Sequence, residues 1–273
     1  MSDQTPLIPE QRRQQILRLL RTEQVLSYRQ ITEALGVSQM TARRDVAALA
    51  EQGRVRALKG GASAVSRLLE EPRRADKAVT DLSAKSAIAR RAAELVTDSM
   101  TIYLDAGTTI QAMRPYLEDR HGLTIVSNDL GTTLAFLDHP SVDLISVGGR
   151  VDRDNQSMIG RLAALTLSQL SLDIAFLSSS SWDGRHGVTT PVEAKVDAKR
   201  AAIDSATTTV LLSDSGKYGR FAKYRVCPLN ELDTIISDIG LDDLDVEHLE
   251  ALGVEVVRAE PIANALHGHE QLS

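Results

Sequence analysis

Apolar positions recur at helical spacing in three blocks near the start of the chain. From Pro9 to Arg21, Ile16, Leu17, Leu19 and Leu20 gather on one side, and Pro9 stands where an opening turn tolerates a missing N–H. Ser27 precedes Gln30 by three residues, the spacing at which a hydroxyl and a returning amide satisfy orphan N–H groups. A second helix is therefore predicted over Tyr28 to Leu35, with Gly36 ending it. Ser38 caps a third, Gln39 to Gln52, in which Ala42, Val46, Leu49 and Ala50 form the apolar face while Thr41, Arg43, Arg44 and Ala47 lie elsewhere. Two short helices meeting at a tight turn, the later one with polar and cationic first turns, have the form of a helix-turn-helix.

After Gly53, the run Arg54-Val55-Arg56-Ala57-Leu58-Lys59 alternates cationic and apolar residues before Gly60-Gly61, which predicts a short strand with three cations on one face, the wing of a winged helix. A recognition helix puts its N-terminal residues in the major groove, where guanidinium groups hold phosphates or the O6/N7 edge of guanine. The candidate DNA contacts are Ser38, Gln39, Met40, Thr41, Arg43 and Arg44 on the helix, with Arg54, Arg56 and Lys59 on the wing. The competing reading is a three-helix interaction module with solvated arginines, docking an acidic protein.

Residues 63 to 82 mix charges without a sustained apolar period and include Pro72, as a linker does. Beyond Ser83 helical patterns (Ile88 to Val96, Arg161 to Leu170, Glu193 to Ser205) alternate with β-rich runs at Thr101 to Leu104, Leu123 to Val126, Val142 to Val147, Asp173 to Leu177, Thr208 to Leu212 and Thr234 to Ile236. Such alternation predicts a largely parallel sheet covered on both faces, with ligands beyond the carboxyl ends of its strands. The boundaries expected are 8–62 for the winged helix-turn-helix, 63–82 for the linker, 83–260 for the α/β domain and 261–273 for a tail.

Charge sharpens this division. The formal net charge of −6 conceals ten Lys and Arg against six Asp and Glu in the first 60 residues, leaving +4 there and −10 on the rest. A basic head on an acidic body fits a polyanion partner for the head alone. No apolar run approaches the roughly 18 residues of a membrane span, and the first residues lack the apolar core of a secretory signal. With Cys227 as the single cysteine, no intrachain disulfide or Cys-rich metal site can form, and a reducing cytoplasm is the expected setting.

The expected strand ends carry the candidate ligand chemistry. Asp105-Ala106-Gly107-Thr108-Thr109 joins a strand to a helix, where backbone N–H groups and two hydroxyls can approach an anion. Ser127-Asn128-Asp129, Gly148-Gly149-Arg150, Ser179 to Gly184 and Ser213 to Lys217 follow other strands, with Lys199 and Lys217 available to a negative charge. Each segment separately also reads as an ordinary polar loop.

The segment LGVSQMTARRDVAALAEQGRVRALKGGA resembles the N-terminal domain of the DeoR family of bacterial transcriptional regulators, with Ser38, Thr41, Arg43, Arg44 and Asp45 matching its pattern; Ala42 and Lys59 depart from it. KSAIARRAAELV, LDAGTT, VGGRVDRDNQSMIG, SSSWDGRHGVTTPVEAKVDAKRAAI and LLSDSGKYG, spread over about Lys85 to Asp238, are similar in order to the family's C-terminal sensor domain. The resemblance implies an α+β winged helix-turn-helix followed by an α/β, mostly parallel-sheet, Rossmann-like and sugar-phosphate-isomerase-like sensor. It also implies a phosphorylated sugar or related metabolite as effector, met by Asp105, Gly107, Thr108, Thr109, Ser127, Asn128, Gly148, Asp183, Gly184, Glu193, Lys199 and Lys217. Lys77 stands where the family has an arginine, eight residues before Lys85, and Ser127 and Asp129 replace the family's usual residues.

The expected function is a metabolite-controlled repressor of carbohydrate genes that binds palindromic double-stranded operator DNA as a homodimer or homotetramer, without cofactor, metal or membrane. The alternative is a sugar-phosphate isomerase or deaminase behind a DNA-binding head; SSSWDGRHG lacks the paired acids of ribose-phosphate isomerases and leaves Asp183 and Glu193 as isolated candidates. His267 and His269 are read as part of a polar tail, Trp182 as core and Cys227 as structural.

Overall fold

The computed structural model describes residues 7–261, so His267 and His269 lie outside it. The head runs α1 (Pro9–Glu23), β1 (Val25–Ser27), α2 (Tyr28–Leu35), α3 (Gln39–Glu51), β2 (Val55–Leu58) and β3 (Gly61–Ala64). Its caps are those the sequence specifies. Ser27 and Gln30 form a capping box on α2, Gly36 ends that helix in the left-handed region at φ 63°, and the Ser38 hydroxyl accepts from the Thr41 N–H at 3.2 Å. Ile16, Leu20, Ile31, Val46 and Leu49 are buried in one core, each stabilising by roughly 1.5–3 kcal/mol relative to exposure.

The wing is an antiparallel sheet of order β1-β3-β2, so the segment after α1 pairs with the hairpin's returning strand. Of the three cations expected on one strand face, only Arg56 lies within a strand. Arg54 precedes β2, and Lys59 falls in the hairpin turn, where the strand period no longer applies.

The segment expected as a linker is structured. It holds β4 (Ser66–Arg67) and α4 (Arg74–Ala78), and its chain is bonded to the second domain at several points, among them the Arg74 guanidinium on buried Asp129 (2.7 Å). That domain continues through α5 (Leu82–Ala93), β5 (Thr101–Leu104), α6 (Thr108–Gln111), β6 (Thr124–Ser127), α7 (Leu130–Phe136), β7 (Asp143–Ser146), β8 (Arg150–Asp152), β9 (Ser157–Ile159) and α8 (Arg161–Leu167). There follow β10 (Leu172–Ser178), β11 (Ser181–Asp183), β12 (Gly187–Thr190), α9 (Ala194–Asp204), β13 (Ala206–Leu212), β14 (Arg220–Phe221), β15 (Tyr224–Cys227), β16 (Thr234–Asp238), α10 (Asp243–Glu250) and β17 (Glu255–Ala259).

Seven parallel strands form the central sheet in the order β17-β16-β13-β10-β5-β6-β7. Buried side chains make a core on each face, one with Ala163, Leu167, Ala198 and Ala202 of α8 and α9, the other with Ile88 and Ala92 of α5. Parallel strands buried on both faces read as continuous apolar runs, which is why Ile174 to Leu177 and Val210 to Leu212 stand out in sequence. The strand order reverses between β5 and β10, and that switch point opens a crevice at their carboxyl ends.

Head and sensor touch. Arg56 of β2 forks onto the buried carboxylate of Asp245 in α10, through Nε at 3.0 Å from each oxygen and through a second guanidinium nitrogen. The pairing of β4 with β14 ties the chain leaving the wing to the sensor.

Gly61 leaves no room for a side chain, because a Cβ there would stand 1.9 Å from the Leu26 carbonyl oxygen. Gly61→Ala is expected to lower the unfolding free energy by about 1–3 kcal/mol, as overpacking does, read as an earlier denaturation midpoint; an unchanged midpoint would show that the β1–β3 pairing yields without cost.

A candidate effector pocket and a DNA-facing helix

On α3, Gln39, Met40, Arg43 and Arg44 are exposed, and the Arg43 guanidinium lies 4.5 Å from the centre of the Tyr28 ring. Asp45, the acid of the Arg-Arg-Asp run, turns the other way: it is buried and accepts from Arg12 Nε at 2.7 Å, fixing α3 against α1. The helix thus offers its cations outward while its acid is consumed internally. Arg54 and Lys59 are exposed as well, whereas Arg56 is held by Asp245.

At the switch point, Asp105 follows β5 and is buried. One of its oxygens accepts the Ser178 N–H (2.9 Å), the Ser178 hydroxyl (2.8 Å) and the Lys199 ammonium, which also donates to the Ser178 carbonyl at 2.7 Å. Burial alone would raise this carboxyl's pKa; Lys199 and the Ser178 donors outweigh it and hold the group below its ordinary value. Next to it, Asp129 accepts from the N–H groups of Gly107 (3.0 Å), Gly131 (2.7 Å) and Thr132 (3.1 Å) as well as from Arg74.

These groups border a polar pocket walled by Asp105, Asn128, Ser157, Ser178, Lys195 and Lys199, with Glu71, Ala106, Ser180, Thr189 and Thr190 completing the lining. Asn128 donates to the Met158 carbonyl, but among the described residues its Oδ1 is buried without a protein partner, and so is the Ser157 hydroxyl. Buried acceptors and hydroxyls are normally satisfied, so two orphaned atoms on one pocket wall are a place for a polar ligand.

Of the residues expected to meet an effector, the structure brings Asp105, Asn128 and Lys199 to this pocket. Gly107, Thr108 and Thr109 flank it at the start of α6. Gly107 has Ser178 so near that a Cβ would stand 2.8 Å from the Ser178 Cβ, and its N–H is spent on Asp129. Ser127 uses its hydroxyl on the Leu104 carbonyl at 2.7 Å, and Gly148 is a left-handed turn residue at φ 71° after β7. Lys217 pairs with Asp214 at 2.8 Å and lies close enough to Lys77 and Lys85 to depress the pKa of both, although burial contributes more to each shift.

Asp183, Gly184 and Glu193 are not brought to the pocket. Asp183 folds its own turn, accepting from the N–H groups of Arg185 (2.8 Å) and His186 (2.6 Å) and pairing with the His186 ring (2.7 Å). With Gly184 it borders a cleft of about 350 Å³ between head and sensor, beside Arg56, Tyr218 and Asp245. Glu193 is exposed at the entrance to α9. Trp182 is wholly buried against Tyr218, and Cys227 is buried, its thiol pushed up to about 12 chiefly by desolvation.

Sequence reasoning passed over Glu71, Ser157 and Lys195. Lys195 was within reach, since it stands one helical turn before Lys199 and shares its face. Glu71 and Ser157 carry no local signal, because long-range folding alone brings them to the strand ends.

The chain matches the family model described as DeoR-like helix-turn-helix domain over residues 12–67 and that of the DeoR C terminal sensor domain over residues 80–239. It is 40% identical over 237 residues to the HTH-type transcriptional regulator YgbI of Escherichia coli K12, covering 87% of this chain and 92% of that one. It is 32% identical to the transcriptional repressor AccR of Agrobacterium fabrum (85% and 90% covered) and 29% identical to the glycerol-3-phosphate regulon repressor of E. coli K12 (84% and 90%). Among solved structures, ribose 5-phosphate isomerase A of Methanocaldococcus jannaschii superposes with a TM-score of 0.37 at 17% identity, over 49% of this chain and 53% of that one. Among the described residues no helix is long and apolar enough to cross a membrane. With both domain models matched in order, and relatives named as transcriptional regulators aligned over most of its length, this chain belongs to the DeoR family of helix-turn-helix DNA-binding transcriptional regulators.

Proposed function

We infer that this regulator is a repressor of carbohydrate-metabolism genes whose hold on its operator is set by a phosphorylated sugar or related metabolite bound at the carboxyl ends of β5, β6 and β10. The observation that carries the reading is the pairing of buried lysines, Lys195 and Lys199, with the partnerless Asn128 Oδ1 and Ser157 hydroxyl on one pocket wall. Cations answer a phosphate or carboxylate, and short neutral donors and acceptors answer a polyol. A relative named as a glycerol-3-phosphate regulon repressor points to the same ligand chemistry.

The DNA-binding surface in this reading is the exposed face of α3, Gln39 to Arg44, with Arg54 and Lys59 beside it. Two copies present two such helices to half-sites about one helical turn or a multiple apart. Exposed Leu134 and Leu137 at the end of α7 and Leu162 and Leu165 on α8 support assembly of the sensor with further copies. The effector acts only through its difference in affinity between conformations that bind DNA well and badly.

Two outcomes test this function. Arg43→Ala and Arg44→Ala should each weaken binding to an operator selected from random duplexes by about 1–3 kcal/mol where the lost contact is bidentate to a base; in salt titrations the log–log slope should shrink by about 0.9 for each phosphate contact removed. Equal affinity of both variants and the parent chain would remove α3 as the reading helix. For the pocket, a panel of phosphorylated sugars is screened for change in operator affinity. Lys195→Met should abolish that change while ligand-free affinity stays within about twofold, a difference of about 0.4 kcal/mol, and a full response in this variant would refute the pocket.

A further inference from the structure

The pocket is narrow. Its free volume is about 20 Å³, room for one water, where a sugar phosphate needs a site of roughly 300 Å³ or more. Most of the wall belongs to the sheet and its helices: Asp105, Asn128 and Ser178 sit at strand ends, and Lys195 and Lys199 on α9. Glu71 comes instead from the strap between β4 and α4.

Glu71 is bound as a ligand's anion would be. Its side chain is 10% exposed; one carboxylate oxygen accepts Lys195 Nζ at 2.5 Å and the other accepts Lys77 Nζ at 2.9 Å. Lys77 also donates to Asn155 Oδ1 at 2.5 Å, and Lys195 lies 3.5 Å from Asp152. Burial opposes the charged form of Glu71, yet the two ammonium groups hold its pKa below the ordinary value, so the carboxylate is ionised. Glu71 is thus the carboxylate that bridges the two ammonium groups, with Asp152 beside Lys195 as a second acid.

The strap has another attachment, to the wing. The chain passes from β3 through Val65 directly into β4, whose pairing with β14 holds it by Ser66 N–H to the Gly219 carbonyl (3.0 Å) and Leu68 N–H to the Phe221 carbonyl (2.7 Å). Leu69, on the strap itself, is 74% exposed, so few apolar contacts resist the strap's departure.

We propose that Lys195 and, behind it, Lys77 form an anion subsite at the edge of the effector pocket and that Glu71 is its built-in occupant, which a phosphate or carboxylate group displaces, freeing the strap that leads to the wing. The proposal rests on the pocket assigned above and adds what fills it and what moves. Glu71 makes the pocket competent only in the fraction of molecules in which the strap has left, and an incoming anion binds more weakly by that fraction. Replacing the carboxylate with an amide of the same shape removes the competitor while leaving the lysines in place.

The test uses the full chain with inorganic phosphate as probe and glycolate as the carboxylate probe, each titrated calorimetrically into the parent protein, Glu71→Gln, Glu71→Ala and Lys195→Met, all checked for an unfolding transition. Both Glu71 variants should bind the preferred anion about tenfold more tightly than the parent if the strap leaves in about a tenth of molecules, and Lys195→Met should not bind it. In parallel, saturating anion should speed tryptic cleavage after Arg73 in the parent, and Glu71→Gln should show the faster rate without anion. Which probe binds more tightly separates a phosphate from a carboxylate as the group recognised. Equal affinity in parent and Glu71 variants, absence of binding in all of them, or cleavage indifferent to both anion and Glu71→Gln overturns the proposal. If phosphorylated sugars alter operator affinity but Glu71→Gln binds anions no better, displacement fails and the pocket stands. If Glu71→Gln binds phosphate more tightly but no sugar phosphate alters operator affinity, the subsite stands and the proposed control of DNA fails.

Discussion

The buried ion pair of Asp105 with Lys199 organises the sensor. It joins the end of β5 to α9 across the point where the strand order reverses, and Ser178 at the end of β10 donates to the same carboxylate oxygen. Removing either partner would leave a charge in a site with little water, a loss of roughly 3–5 kcal/mol. The pair therefore fixes the crevice from three elements at once. An ionic centre also explains why the pocket is polar although the sheet beneath it is built of Ile, Leu, Val and Phe.

The head was legible almost to the residue because its determinants are local. Ser27 with Gln30, Gly36 and Ser38 write their helix ends within a few residues, and the observed α2 and α3 agree with the capping pattern to within one residue. The central strands were legible for a related reason, since burial on both faces leaves continuous apolar runs such as Val210 to Leu212. The edge strand β17 and helix α10 escaped notice because Glu255–Ala259 is only partly buried and α10 opens with acids, Asp243 and Asp245, alternating with apolar residues.

The pocket was half legible. Asp105, Asn128 and Lys199 could be read because polar residues directly after an apolar strand, or on a helix that follows one, mark a strand end. Asp183 and Gly184 look the same in sequence, yet they belong to the short antiparallel sheet of β11, β12 and β15, whose turn faces the head. Glu71 lies 124 residues from the lysine it pairs with, and a charged stretch containing proline gives no sign that one carboxylate folds inward. Composition describes the strap's solvent side and hides its single inward-facing anion.

Arg56 has a consequence for the order of events on DNA. A guanidinium fork satisfies one bidentate acceptor at a time, and here Asp245 is that acceptor. Were the wing to lend this cation to a phosphodiester, α10 would be left with a bare carboxylate at Asp245 beside Asp242, two like charges with no cation between them. Capture of a phosphate by Arg56 therefore excludes the arrangement seen here, so in the reading proposed above the docked form would meet the duplex through α3, Arg54 and Lys59, one arginine short of its full grip.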